Sequence, residues 1–336
     1  MANTTLKQLL KEYEAKHIFA MQELQKRKEH LFSQHPELQE LENQLHHYSI
    51  EISKAIVLSP KDRESLLLKF EKEISSLKKK KEDLLKNLNI AKQDLLPHFE
   101  CNRCQDTGYI SNGTHTEMCS CLKQRLFDIE FNKSNMGNIE KENFSTFNIM
   151  KYTDEIQKEK YHSDISPREN IKIIRSIAEN FITHFDDPEE KNLLFTGNTG
   201  LGKTFLSNCI ANELLKKQKT VLYQTAPVML DNIIDYRFDK PGCLKDLMDN
   251  LLHVDLLIID DLGTETMNSM KFTELFNIIN TRLLNQNHQI TKTIISTNLS
   301  LQNLFSKYDE RIVSRLVGYY HLCRFFGDDI RFKSRT

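Results

Sequence analysis

The eight residues Gly197-Asn-Thr-Gly200-Leu-Gly202-Lys203-Thr204 restrict this chain more than any other feature. They fit G-x-x-x-x-G-K-[ST], a pattern that average residue frequencies produce by chance about once in a hundred chains of this length. The apolar run Asn192-Leu193-Leu194-Phe195 precedes them, and Phe205, Leu206, Ile210 and Leu214 follow at helical spacing. A strand is therefore expected to feed a tight loop that opens a helix. Three of the chain's ten glycines lie here, where bare backbone lets N–H groups wrap a phosphate at the positive end of the helix. Lys203 is expected to reach the β and γ phosphates of ATP, and the Thr204 hydroxyl to hold Mg²⁺. The candidate binding set is Gly197, Asn198, Thr199, Gly200, Leu201, Gly202, Lys203, Thr204 and Phe205.

Downstream, Leu256-Leu-Ile-Ile-Asp260-Asp261 reads as a buried strand ending in two acids. Beside a P-loop this fits the Walker B role. Asp260 is expected to organise Mg²⁺ through water, and Asp261 to orient or deprotonate the attacking water. Aspartate is one methylene shorter than the glutamate common at the second place, which predicts slow turnover; Glu265 is a reserve candidate. A further strand, Thr293-Ile-Ile-Ser296-Thr297-Asn298, ends in a polar pair, and Asn298 can hydrogen-bond the γ-phosphate or the lytic water. Arg311 and Arg315 sit four apart on a predicted helix over Asp309–Gly318, so they share a side. Arg331 follows a last strand, in Gly327-Asp-Asp-Ile-Arg331.

From about residue 168 short strands at Asn192–Phe195, Val221–Tyr223, Leu256–Ile259, Thr293–Ser296 and His321–Phe325 alternate with helical stretches. Such alternation predicts a parallel sheet covered on both faces. The first hundred residues differ: they hold no glycine and are rich in Lys, Glu and Leu. Leu67, Phe70, Ile74, Leu77, Lys81, Leu84, Leu88, Ala91 and Leu95 alternate three and four apart, a coiled-coil seam with one polar interruption. Leu38, Leu41, Leu45, Tyr48, Ile52 and Ala55 repeat the pattern, and Leu6, Leu10, Tyr13, His17, Ala20, Leu24 and Leu31 give a weaker version. Three helices are predicted, broken at Pro36 and Pro60, packing on each other or on a partner. The run Lys78–Lys81 reads as a solvated face.

Four of seven cysteines crowd together: Cys101-x-x-Cys104, fourteen residues, then Cys119-x-Cys121. With no export signal in view, that favours a tetrahedral Zn²⁺ over disulfides. His115 is a fifth contender for a ligand position. Four thiolates leave no open coordination site, so the zinc is expected to be structural.

Lys plus Arg total 46 against 47 Asp plus Glu, a net charge of −1, which excludes a global basic field; contact with nucleic acid must be a local patch. Tyr236, Arg237, Lys240 and Lys245, after the second strand, mix an aromatic with basic side chains and are the candidate single-strand contact. The first twenty residues contain no apolar h-region and no apolar run is long enough to span a bilayer. A cytoplasmic, non-membrane protein is expected.

The order of P-loop, paired aspartates, Ser296-Thr297-Asn298, Arg311-Ile-Val-Ser-Arg315-Leu316 and Gly327-Asp-Asp-Ile-Arg331 resembles the AAA+ ATPases of the bacterial helicase-loader family of DnaC and DnaI, with the transposition helper IstB nearby. The resemblance covers roughly residues 140–336, including Glu142-Asn-Phe-Ser-Thr-Phe147. It implies an α/β AAA+ P-loop ATPase, a five-stranded parallel sheet with helices on both faces. It also implies Asn298 as sensor 1, Arg315 as the arginine finger with Arg311 as the other candidate, and Arg331 as the sensor 2 arginine. Loaders of the DnaI type carry a zinc-binding N-terminal module that contacts the helicase, which supports metal at the cysteines.

The organisation expected is a helical, coiled-coil region over 1–98, a zinc-binding module over 99–125, a linker and lead-in over 126–165, and the ATPase domain over 166–336. The function expected is ATP-dependent loading of the replicative DNA helicase, with ATP, Mg²⁺ and Zn²⁺ as cofactors. The partners expected are helicase, single-stranded DNA and neighbouring copies of the ATPase domain. The alternatives are a transposase helper ATPase of the IstB kind, which has no need of the first 120 residues, and a zinc and coiled-coil adaptor that uses nucleotide only structurally.

Overall fold

A computed structural model describes residues 2–58, 63–111, 113–129, 141–239, 241–285 and 290–331. The chain forms two compact units, Met1–Cys119 and Ser120–Thr336.

In the first unit, α1 (Ala2–Gln34), α2 (Pro36–Leu58) and α3 (Arg63–Asn87) are long helices. The break at His35 is where the residue before Pro36 is pushed out of helical geometry. α2 and α3 pack on each other: Tyr48 and Phe70 meet at 5.9 Å between ring centroids. Lys81, the polar step in the seam, donates to Glu42 at 2.6 Å. The interruption is thus a cross-helix ion pair rather than a gap.

The seam does not continue to Leu95 on one helix, as its spacing predicts. α3 stops at Asn87, because Asn89 turns left-handed at φ 55°. The Asn89 N–H donates to the Lys86 carbonyl and the Ile90 N–H reaches back to the Leu85 carbonyl at 2.9 Å, a Schellman cap. Ala91 is exposed, while Leu95 comes from a 3₁₀ turn over Lys92–Leu95 to join Leu38 and Leu85 in a small core. The side chains of Ala55 and Leu67 lie outside the described residues. α1 is tied to the segment after this turn: Arg27 donates to the Leu96 carbonyl, and His17 stacks on Phe99 and contacts the Gln105 carbonyl at 2.7 Å. A short antiparallel hairpin, β1 (Tyr109–Ser111) and β2 (Thr116–Met118), lies between the second and third clustered cysteines.

The second unit opens with α4 (Ser120–Phe127), α5 (Lys158–Tyr161) and α6 (Pro167–Thr183). Gln124 of α4 exchanges two hydrogen bonds with the backbone of Val221, capping an edge strand. Ser166 caps α6 by accepting from the Glu169 N–H, with Pro167 in the first turn where its missing N–H costs nothing. Then follow β3 (Asn192–Thr196), α7 (Lys203–Lys216), β4 (Val221–Thr225), α8 (Ala226–Asp239) and α9 (Pro241–His253). The chain continues through β5 (Leu256–Leu262), α10 (Ser269–Asn285), β6 (Lys292–Thr297), α11 (Leu301–Lys307), α12 (Glu310–Tyr319) and β7 (Tyr320–Arg324).

The five strands β3 to β7 form one parallel sheet in the order β4-β5-β6-β3-β7. Both faces are apolar. Leu193, Phe195, Leu256, Ile258 and Ile294 face the core shared with α6 and α7. Leu194, Leu257, Ile259 and Ile295 face the core shared with α8, α9, α10 and α12. Burying a Leu or Ile contributes about 1.5–3 kcal/mol, so a strand with apolar residues on both faces is held only where helices cover both. On α10, Arg282 is fully buried and donates to the carbonyls of Leu251, Val254 and Lys292, the first residue of β6, with burial lowering its pKa to about 10.

Candidate nucleotide site and cysteine cluster

Because β6 lies between β5 and β3, the C-terminal ends of these strands bring together the P-loop, the two aspartates and Asn298. Ligands of open α/β sheets bind at such carboxyl ends. Gly197 has φ 135°, and a Cβ there would lie 2.2 Å from the Phe325 carbonyl oxygen, just past β7. Gly202 has φ 88°, and a Cβ there would meet the Tyr152 hydroxyl at 2.5 Å. That hydroxyl donates to the Leu201 carbonyl at 2.8 Å, bracing the loop from outside. The Ile330 N–H holds the Gly200 carbonyl at 3.0 Å from the C-terminal segment.

Lys203 is buried and its ammonium donates to the carbonyls of Gly197 (2.6 Å) and Asn198 (2.8 Å) and to Asn298 Oδ1 (2.7 Å). Burial lowers its pKa to about 8, against the opposing pull of the nearby Asp260 and Asp261. Asp260 is 3% exposed. It accepts from the Thr204 hydroxyl at 2.9 Å, from the Asp261 N–H at 3.0 Å, and from the hydroxyls of Tyr223 and Ser296. Burial and the Asp260 charge push the Tyr223 hydroxyl far up, so it remains a donor. Asp261 sits in the left-handed region at φ 54°, where the β5–β6 register is interrupted between Ile259 and Leu262. Non-glycine residues in this region cluster at functional sites. Burial and then Asp260 raise its pKa, while Lys203 and Arg331 oppose the rise.

A cavity of about 410 Å³ opens here, lined by the loop from Thr199 to Phe205 and by Asp261, Asn298 and Arg331. Its volume is in the range of small-molecule sites. The cradle fits a phosphate chain: the backbone of a glycine-rich loop, the buried Lys203 ammonium, the Thr204 hydroxyl and the Asp261 carboxylate all face it. Glu142, Lys151 and Ile330 complete the lining. Glu142, Ser296 and Ile330 lie inside sequence motifs that assign them no contact, while Lys151, Tyr152 and Tyr223 carry no motif signal.

Arg315 is not among the cavity-lining residues. It stands on α12, donating to Asn280 at 2.8 Å with its guanidinium 4.7 Å from the Phe276 ring centroid. Arg311 stacks on the same ring at 5.3 Å and pairs with Asp309. Glu265, the reserve catalytic candidate, is a turn brace instead: its buried carboxylate accepts from the Gly263 N–H and the Tyr308 hydroxyl. In the expected single-strand patch, Arg237 is exposed. It is paired with Glu274 of α10, and Tyr236 packs against the core under α8. Lys245 is exposed, and Lys240 lies outside the described residues.

The thiols of Cys101, Cys104, Cys119 and Cys121 all lie within 4.8 Å of one another. Cys101 and Cys119 are 3.9 Å apart, close to the edge of about 3.8 Å that four sulfurs at about 2.3 Å from Zn²⁺ define. Asp106 organises the first pair by accepting from the N–H groups of Glu100 and Cys101. Gln105 and Asp106 take left-handed φ angles of 52° and 57°, and the Cys119 N–H closes the turn onto the Gly108 carbonyl at 2.8 Å. The donor set suits Zn²⁺. His115 is exposed, contacts Thr114, and is not part of the cluster.

Strand order, P-loop, paired aspartates and the asparagine at the end of the middle strand define an AAA+ P-loop ATPase. The family model of IstB-like ATP binding proteins matches residues 136–336, and the chain belongs to that family. The replicative helicase loader DnaC of Escherichia coli (strain K12) is 27% identical over 141 residues, 42% of this chain and 56% of that protein. The putative insertion sequence ATP-binding protein y4pL of Sinorhizobium fredii (strain NBRC 101917 / NGR234) is 30% identical over 149 residues, 43% of this chain and 58% of that one. The chain thus spans just over half the length of these curated relatives. A crystal structure of DnaI superposes with a TM-score of 0.41 at 25% identity, covering 52% of this chain and 94% of that one. Among the described residues, no helix is long and apolar enough to cross a membrane.

Proposed function

We propose that this chain is an ATP-dependent loader of the replicative DNA helicase. The observation that carries the reading is a separate compact unit, largely helical and holding three of the four clustered cysteines, ahead of the AAA+ module. A loader needs such a module to grip its helicase; the AAA+ module alone supplies ATP binding. The likeness of that module to a replicative helicase loader supports the assignment.

In this reading the P-loop N–H groups and Lys203 bind the phosphates, and the Thr204 hydroxyl faces the cation. Mg²⁺, when bound, supplies positive charge to the phosphates. Asp261, which lines the cavity at the end of β5, orients the attacking water and takes its proton; its raised pKa suits a base. Asn298 and Arg331 contact the γ-phosphate. Arg315 serves the ATP of a neighbouring copy. Cys101, Cys104, Cys119 and Cys121 hold a structural Zn²⁺ with no open position for chemistry. Single-stranded DNA binds a local surface of the AAA+ module.

A second reading is a helper ATPase for a transposase, favoured by the likeness to an insertion sequence ATP-binding protein. Capture experiments with the purified full chain separate the two. Retention of the replicative helicase from the same cell, lost on deleting residues 1–119, and ATP turnover raised by single-stranded DNA are expected of a loader. Retention of a transposase and not of the helicase would overturn that reading.

A further inference from the structure

The Asp260 carboxylate is surrounded by the chain's own donors. Oδ2 accepts from Thr204 (2.9 Å) and Tyr223, and Oδ1 from Ser296 and the Asp261 N–H (3.0 Å). A carboxylate offers about four lone-pair directions, so these donors take them all. Asp260 does not line the cavity, whereas Thr204 and Asp261 do. Tyr223 and Ser296 are 3% and 0% exposed and come from β4 and β6, the strands on either side of β5.

A hydroxyl has one proton and two lone pairs. Committing the Thr204 proton to Asp260 leaves its lone pairs for a cation on the cavity side. We propose that Tyr223 and Ser296 are positioning residues for metal-nucleotide binding: they hold the Asp260 carboxylate in the one orientation that takes the Thr204 proton. Asp260 then acts on the cation through Thr204. Without the Tyr223 or Ser296 donor, the carboxylate turns about its last torsion and the Thr204 hydroxyl loses its fixed direction. This inference rests on the site being one for Mg²⁺-ATP.

The test is binding of a fluorescent ATP analogue to the full chain, titrated with Mg²⁺ and repeated in EDTA. It compares wild type, Tyr223→Phe, Ser296→Ala and Lys203→Ala, each checked by thermal unfolding. Tyr223→Phe keeps the ring and Ser296→Ala leaves only a small void, so either alone suffices if the other fails to fold. Expected is an EDTA affinity within about twofold of wild type and a Mg²⁺ midpoint raised about tenfold in both variants. Unchanged Mg²⁺ midpoints beside a Mg²⁺-dependent wild type would overturn the inference and leave the site reading standing. So would equal losses in EDTA and in Mg²⁺, the mark of a merely structural role. A wild type without Mg²⁺-dependent binding, or a Lys203→Ala chain that binds normally, would overturn both.

Discussion

The Lys203 ammonium donates to Asn298 Oδ1 at 2.7 Å, joining the P-loop after β3 to the end of β6, its neighbour in the sheet. With the Gly197 and Asn198 carbonyls also accepting from it, the cation is centred between the loop and the end of β6. Lys203→Ala is expected to lower ATP affinity at least about a hundredfold, because a charge on the phosphates is lost. Asn298→Ala is expected to keep affinity within a few-fold and to lower turnover at least tenfold, as loss of a contact made in the transition state does. Nucleotide titration and single-turnover hydrolysis check the pair, with circular dichroism as the control for folding.

Binding should also depend on pH. The ammonium is the form that holds phosphate, and burial brings its pKa down to about 8. Affinity is expected to be full below about pH 7 and to fall as pH rises through 8. Above 8, binding must take up a proton, since phosphate restores the ammonium. Calorimetry at pH 8.5 in buffers of different ionisation enthalpy should show that uptake, and at pH 6.5 it should not. The same lowered pKa makes the unliganded chain gain stability as pH rises from about 8 toward the unfolded value, because the unfolded lysine binds the proton the folded one gives up.

Arg315 stands on α12 beside Phe276 and not in the cavity. If it serves a neighbouring copy, Arg315→Ala keeps ATP affinity near normal and loses the turnover stimulated by assembly, about 10³-fold or more. Mixing it with Lys203→Ala should restore part of that turnover, since the Lys203→Ala chain lends its Arg315 to an intact P-loop. A mixture that assembles but stays inactive excludes Arg315 as the finger and moves the test to Arg311.

The cysteine cluster predicts about one zinc per chain by elemental analysis. Cys101→Ser or Cys104→Ser should lose the metal and unfold the turn that Asp106 and Gly108 close. ATP affinity should be unchanged, because the AAA+ core does not contain these residues. Freshly purified protein without zinc would sink the assignment.

The sequence by itself determined the features whose chemistry is written in adjacent residues. The P-loop is legible because bare backbone, lysine and hydroxyl must follow one another within a single turn. Asp260, Asp261 and Asn298 are legible because apolar strands ending in polar groups, in a chain that also carries a P-loop, are buried strands of the same sheet. The cysteines announce themselves by ligand spacing, and the sheet by alternation of strand and helix. The tertiary structure alone decided what distant segments do for one another. Tyr223 and Ser296 are ordinary strand residues until the order β4-β5-β6 places them on Asp260. Tyr152 is unremarkable until its hydroxyl meets the Leu201 carbonyl. Arg237 looks like a free cation in sequence, but α10 brings Glu274 to it. The seven-residue pattern runs on through Leu95 although a left-handed Asn89 ends the helix, because Leu95 returns to the same small core by another path. Spacing reports which residues must be buried; only the packed chain says which partners bury them.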